Sequence, residues 1–167
     1  MTIGLSAVNI PPESIALVNE SLATGRIAQA EYVERFEEAL AKWLGVKHVI
    51  ATSSGTMADA VALAAMKHKY RMDRVICPAL TFIAQPNAAR MNEMSIEFVD
   101  VGADWVLDWE KQKDWRGLGI FYPSDCMGRM SLQSVPGGFP YVEDACEAFG
   151  SEYMGRKAGT FGEMGTF

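Results

Sequence analysis

The spacing of hydrophobic positions changes part-way along the chain. From Gln29 to Leu44, Val33, Phe36, Leu40 and Trp43 recur at helical spacing, which predicts an amphipathic helix with one apolar face. Glu38 precedes Lys42 by one helical turn on the outer face, and Gly45 supplies a stop. Upstream, Pro11-Pro12-Glu13 predicts another helix start, with proline in the first turn and an acid near the positive end of the helix dipole. Beyond Gly45, short apolar runs alternate with helical stretches. His48–Thr52 (HVIAT), Arg74–Cys77, Ser95–Val101, Leu118–Tyr122 and Tyr141–Glu143 predict strands. Between them, an alanine-rich stretch from Thr56 to about His68 and the segment Phe82–Met91, with Pro86 near its first turn, predict helices. Pro78 closes a strand, Gly128 and Pro136-Gly137-Gly138 mark loops, and the glycines at 155, 159, 162 and 165 predict hairpins and turns. Strands alternating with helices imply crossover connections, hence an α/β fold with a mainly parallel sheet.

Composition narrows the function classes. The 167 residues suffice for one domain with a real core, and 49% hydrophobic with 22% charged residues is ordinary for a globular chain. The net charge of −6 and the absence of a Lys/Arg-rich block argue against nucleic-acid binding. No apolar run approaches the roughly 18 residues of a membrane span, and the amino-terminal stretch MTIGLSAVNIPPES lacks the features of a signal peptide. Cys77, Cys126 and Cys146 are widely separated and suggest neither a zinc site nor a disulfide framework, so a cytoplasmic setting and no metal are expected.

Three segments have the chemistry of a site. Thr52-Ser53-Ser54-Gly55-Thr56 follows a predicted strand and opens a helix, where free N–H groups and the dipole favour a phosphate. The same residues also read as a plain helix cap, and Thr56 with Asp59 fits capping-box spacing. Tyr141-Val142-Glu143-Asp144-Ala145-Cys146-Glu147 places acids at the carboxyl end of a strand, where open α/β sheets bind ligands. Asp144 there suits a protonated ring nitrogen, and Glu147 shares its face if the segment turns helical; an acidic helix start is the alternative. Phe82, following the strand that ends at Cys77, is placed either to stack on a planar ligand or to fill the core. His48 and His68 have no neighbouring nucleophile and read as structural or solvated, and no GxGxxG or P-loop supports a different nucleotide-binding domain.

In order, these segments resemble the DegT/DnrJ/StrS family of sugar aminotransferases, within the fold-type-I pyridoxal-phosphate (PLP) enzymes. The resemblance runs through Val33-Glu34-Arg35-Phe36-Glu37, Leu44-Gly45-Val46-Lys47, Ser53-Ser54-Gly55-Thr56, Val75–Ala84 (VICPALTFIA) with Asn87-Ala88, Phe98-Val99-Asp100, and Glu143–Gly150 (EDACEAFG) into Tyr153–Gly162. It implies a three-layer α/β/α architecture. Residues 1–167 would form a single incomplete PLP-binding large domain, with amino-terminal helices over 1–45 and the α/β portion over 46–167. It implies that Ser54, Gly55 and Thr56 hold the cofactor phosphate, Phe82 stacks on the pyridine ring, Asp144 pairs with the ring nitrogen and Glu147 lies beside the phenolic oxygen. A glutamate at 147 is similar to the perosamine-synthase-type subgroup. The implied reaction converts a nucleotide-linked keto sugar to an amino sugar with an amino-acid donor, in a homodimer.

Three departures qualify this picture. The stretch between Asp100 and Asp144 is shorter than the family's, with Phe121-Tyr122-Pro123-Ser124-Asp125 where a His-Leu-Tyr-Gly-like segment is expected, so a crossover helix is expected to be lost or shortened. Ala28-Gln29-Ala30-Glu31 stands where the family has a glycine. The family's Schiff-base lysine is expected beyond Phe167, and none of Lys42, Lys47, Lys67, Lys69, Lys111, Lys113 and Lys157 takes its place. No catalytic residue is therefore assigned. The chain is expected to be inactive alone, as a fragment prone to dimerise or aggregate, or else to be a non-catalytic partner of a full-length relative.

Overall fold

The computed structural model describes residues 8–28, 31–108, 119–131 and 138–167. The chain divides into two compact units, 1–49 and 50–167. The first holds helices α1 (Pro12–Thr24) and α2 (Glu31–Leu44). Pro12 occupies the first turn of α1, and Gly25, left-handed at φ 69°, ends it. Gly45 ends α2 in the same conformation (φ 74°), its N–H donating to the Ala41 carbonyl at 2.9 Å. The apolar stripe of α2 exists, yet neither helix buries a residue, and Phe36 and Trp43 stay exposed.

The second unit begins with α3 (Gly55–Tyr70), followed by β1 (Arg74–Pro78), α4 (Ala84–Met91), β2 (Ser95–Val99) and β3 (Ile120–Phe121). A short 3-10 turn (Cys126–Gly128), β4 (Val142–Asp144), β5 (Glu152–Tyr153), β6 (Arg156–Lys157) and β7 (Met164–Thr166) complete it. β1 is the centre of a parallel ladder, pairing Val75 with Ile96 of β2 on one side and with Ile120 of β3 on the other. Parallel bridges Phe121↔Tyr141 and Ser124↔Asp144 carry the sheet across to β4, which pairs in parallel with β7, Asp144 opposite Thr166. The expected α/β fold with a parallel sheet is present.

Strand alternation sorts the core onto two faces. Val75, Cys77, Ile120, Tyr122 and Val142 meet Ala60, Leu63 and Met66 of α3 and Ala88 and Ala89 of α4. Ile76, Val99 and Phe121 point the other way and pack with Leu107, Phe139 and Tyr141. Burial on both sides explains why Val75-Ile76-Cys77 reads as a continuous apolar run rather than an alternating one.

Several expectations are corrected. His48–Thr52 is not a strand: it has no ladder partner among the described residues, and Ile50 is exposed, so β-branched composition alone does not hold it in a sheet. The helix expected from Phe82 begins at Ala84, and the strand expected to reach Val101 ends at Val99, beyond which Val101 bridges back to Leu107. In the glycine-rich tail the expected hairpin is β5–β6, but β7 is a sheet strand rather than a turn. The Pro136-Gly137 loop and most of the shortened crossover, 109–118, lie outside the described residues.

Candidate functional site

Ser54 is the N-cap of α3. Its backbone is extended, and its hydroxyl accepts the Met57 N–H at 3.3 Å. The N–H groups of Gly55 and Thr56, one position further out in the first turn, have no acceptor within the helix and face outward at its positive end. The capping box expected of Thr56 and Asp59 does not form, because the cap falls at Ser54 and Asp59 is turned into the interior. At Gly55 an added Cβ would stand 3.0 Å from Cys146 Sγ and 3.3 Å from the Phe167 carbonyl oxygen, so a side chain there would fit only if its neighbours gave way by a few tenths of an ångström.

Asp144 is the last residue of β4 and is 5% exposed. One carboxylate oxygen accepts the Cys146 N–H at 3.1 Å. Burial raises its pKa, opposed by the Cys146 contacts and by the nearby Gln85 amide and reinforced by Glu147. Gln85 is itself fully buried. Its oxygen accepts the Thr81 hydroxyl at 2.6 Å, while its amide nitrogen stops short of a well-formed hydrogen bond and is a donor left open. Glu147 is exposed and accepts the Met127 N–H at 2.9 Å. Phe82 is 66% exposed, which removes it from the core.

These residues converge. A cavity of about 330 Å³ is lined by Gly55, Thr56, Phe82, Asp144 and Glu147, together with Asp59, Ala84, Ser124, Cys146 and Phe167. Ser54 stands behind it as the cap. The lining offers backbone donors and a hydroxyl at the start of α3, carboxyls from Asp59, Asp144 and Glu147, and no basic residue. A ligand with an anionic tail and a cationic head therefore fits it. A lysine is absent from the lining, and Lys157 lies on β6, paired with Glu152.

Asp59, Tyr122, Gln85 and Cys146 were not legible as site residues. The signal for Asp59 was an acid on the same stripe of α3 as Leu63 and Met66, a place that burial makes costly without a partner.

With this geometry in view, residues 9–114 and 134–167 match the model of the DegT/DnrJ/EryC1/StrS aminotransferase family. The chain belongs to that family. Among its relatives, the UDP-4-amino-4,6-dideoxy-N-acetyl-beta-L-altrosamine transaminase of Campylobacter jejuni is 30% identical over 95% of this chain and 45% of its own length. The GDP-perosamine synthase of Escherichia coli O157:H7 is 34% identical over 90% of this chain and 44% of its own. The chain thus spans about half the length of the curated relatives it matches. In structure it is similar to the E. coli GDP-4-keto-6-deoxy-D-mannose-3-dehydratase solved with bound hydrated PLP, with a TM-score of 0.86 over 95% of this chain and 44% of that one at 23% identity. That likeness is one of fold. No helix among the described residues is long and apolar enough to cross a membrane.

Proposed function

We propose that this chain forms the cofactor-binding floor of a PLP-dependent aminotransferase acting on a nucleotide-linked keto sugar, with an amino acid as donor. The observation that carries the reading is the convergence of the α3 N-terminus and Asp144 on one cavity. Ser54, Gly55 and Thr56 would hold the phosphate with backbone N–H groups and hydroxyls. Phe82 would lie against the ring, Asp144 would keep its nitrogen protonated, and Glu147 would stand beside the phenolic oxygen. When bound, PLP supplies the electron sink that amino-group transfer requires. A dimeric, cytoplasmic enzyme is the matching cellular form. Because the cavity is lined by no lysine, this chain by itself is expected to hold the cofactor reversibly, without turnover. The same observation favours a second reading, a non-catalytic partner of a longer relative.

The test is a titration of the chain with PLP followed by absorbance and tryptophan fluorescence. Saturable binding that dialysis reverses, that Asp144→Ala weakens about tenfold or more, and that leaves no borohydride-fixed cofactor is expected. Absence of saturable binding would refute the cofactor reading. Cofactor fixed by borohydride at one lysine would refute the reversible form of it.

A further inference from the structure

Asp59 is not explained by the reading above. It is 1% exposed on an otherwise apolar stripe of α3, yet it borders the cavity. The Tyr122 hydroxyl donates a hydrogen bond to its Oδ1, and Tyr122 is itself completely buried just past β3. The Thr166 hydroxyl of β7 stands 3.4 Å from the same tyrosine oxygen, so Thr166, Tyr122 and Asp59 form one buried cluster. The ligating atoms of Asp59, Asp144 and Cys146 all lie within 4.8 Å of one another. Two buried carboxyls at this separation, with no basic residue lining the cavity, cannot both ionise without large repulsion.

The environments of the two carboxyls differ, and the difference assigns the proton. Asp144 accepts a backbone N–H and faces the Gln85 amide, both of which favour its charged form. Asp59 has neither. We propose that Asp59, clamped by Tyr122, is a positioning residue for Asp144: it stays a neutral acid and leaves the single negative charge of the floor on Asp144, facing the ring nitrogen. This deepens the cofactor reading and rests on it. Burial first, then the charge of Asp144, raise the Asp59 pKa, while the hydroxyls of Tyr122 and Thr166 oppose the rise. The titratable groups that bear on Asp59 are Tyr122, Asp144 and Cys146; Glu147 acts on Asp144, and α4 contributes only the neutral Gln85.

The experiment follows the carboxyl carbons of aspartate-labelled chain by 13C NMR across pH, with Asp59→Asn assigning the resonance. Asp144→Asn should lower the Asp59 midpoint by about one pH unit, the coupling expected of interacting carboxyls. Tyr122→Phe should raise it, because a donor to the charged form is gone. A role in packing alone would move neither midpoint, and unchanged midpoints in both variants, with native methyl spectra, would overturn the proposal. A PLP titration of the same samples separates the two ideas. Shifted midpoints without PLP binding would confirm the carboxyl pair and sink the cofactor reading. PLP binding with unmoved midpoints would do the reverse.

Discussion

At the scale of single residues, the start of α3 caps a helix and, in the proposed function, holds a phosphate, and a substitution can separate the two. Ser54 satisfies the Met57 N–H and thereby leaves the N–H groups of Gly55 and Thr56 as the open donors of the first turn. Ser54→Ala should cost about 1 kcal/mol in urea unfolding, and Ser54→Asn should restore most of it, because either side chain caps. If the serine only caps, the asparagine variant will also keep PLP affinity. If its hydroxyl touches the phosphate, affinity will fall while stability recovers. Asp144 could be placed at the carboxyl end of a strand from sequence alone, the place where open α/β sheets bind ligands, although an acidic helix start fitted the same residues. Asp59 could not. Helical spacing reveals that it shares a stripe with Leu63 but not that a tyrosine from a distant segment meets it there.

At the scale of elements, pairing partners decide what local pattern cannot. His48–Thr52 has strand composition yet forms no strand among the described residues, whereas Met164–Thr166, with a glycine at its centre, is a strand because β4 lies beside it. The Gly165 position shows the cost of that approach: a Cβ there would stand 2.1 Å from the Gly159 carbonyl oxygen. The same ladder region holds a second carboxyl pair. Asp125 and Glu143 are both buried. Ser131 N–H serves Asp125 Oδ1 at 2.8 Å and Phe161 N–H serves Glu143 Oε2 at 2.9 Å, while the remaining oxygen of each acid has no other partner. Their interaction links the 124–131 loop to β4. Burial foremost, reinforced by Glu143 and opposed by Ser131, pushes the Asp125 carboxyl up to about 8. A raised acid binds its proton more tightly in the folded state. Its contribution to stability is therefore complete below about pH 4 and is lost as pH rises through about 8. Asp125→Asn should remove that decline and make the variant more stable than the parent above about pH 8, by about 1–3 kcal/mol. Urea midpoints measured across this range test it, and parallel profiles for the two proteins would contradict a raised Asp125 carboxyl.

At the scale of the whole molecule, burial is divided unevenly between the two units. Leu63, Met66, Ile120, Phe121 and Tyr122 of residues 50–167 are all at or below 1% exposure, while α1 and α2 of residues 1–49 bury nothing. Regions with few buried apolar contacts open at low free-energy cost, and core elements open only near the global limit. Amide hydrogen exchange at low protein concentration should therefore protect α3 and β1 strongly and leave α1 and α2 weakly protected. Mutations should divide along the same line: Leu63→Ala is expected to cost about 2–5 kcal/mol, and Phe36→Ala less than about 0.5 kcal/mol. On the apolar stripe of α2, Phe36 and Trp43 are exposed and Val33 and Leu40 half-buried, which sharpens this test, since exposed apolar side chains grouped on one face suit a contact surface. If the dimeric form of the proposed enzyme covers it, protection of α2 will rise with protein concentration while that of α3 stays constant, and Phe36→Ala will weaken self-association without lowering the melting temperature of the dilute chain. Strong protection of α2 at every concentration would mean that residues 1–49 are held by something other than a second copy.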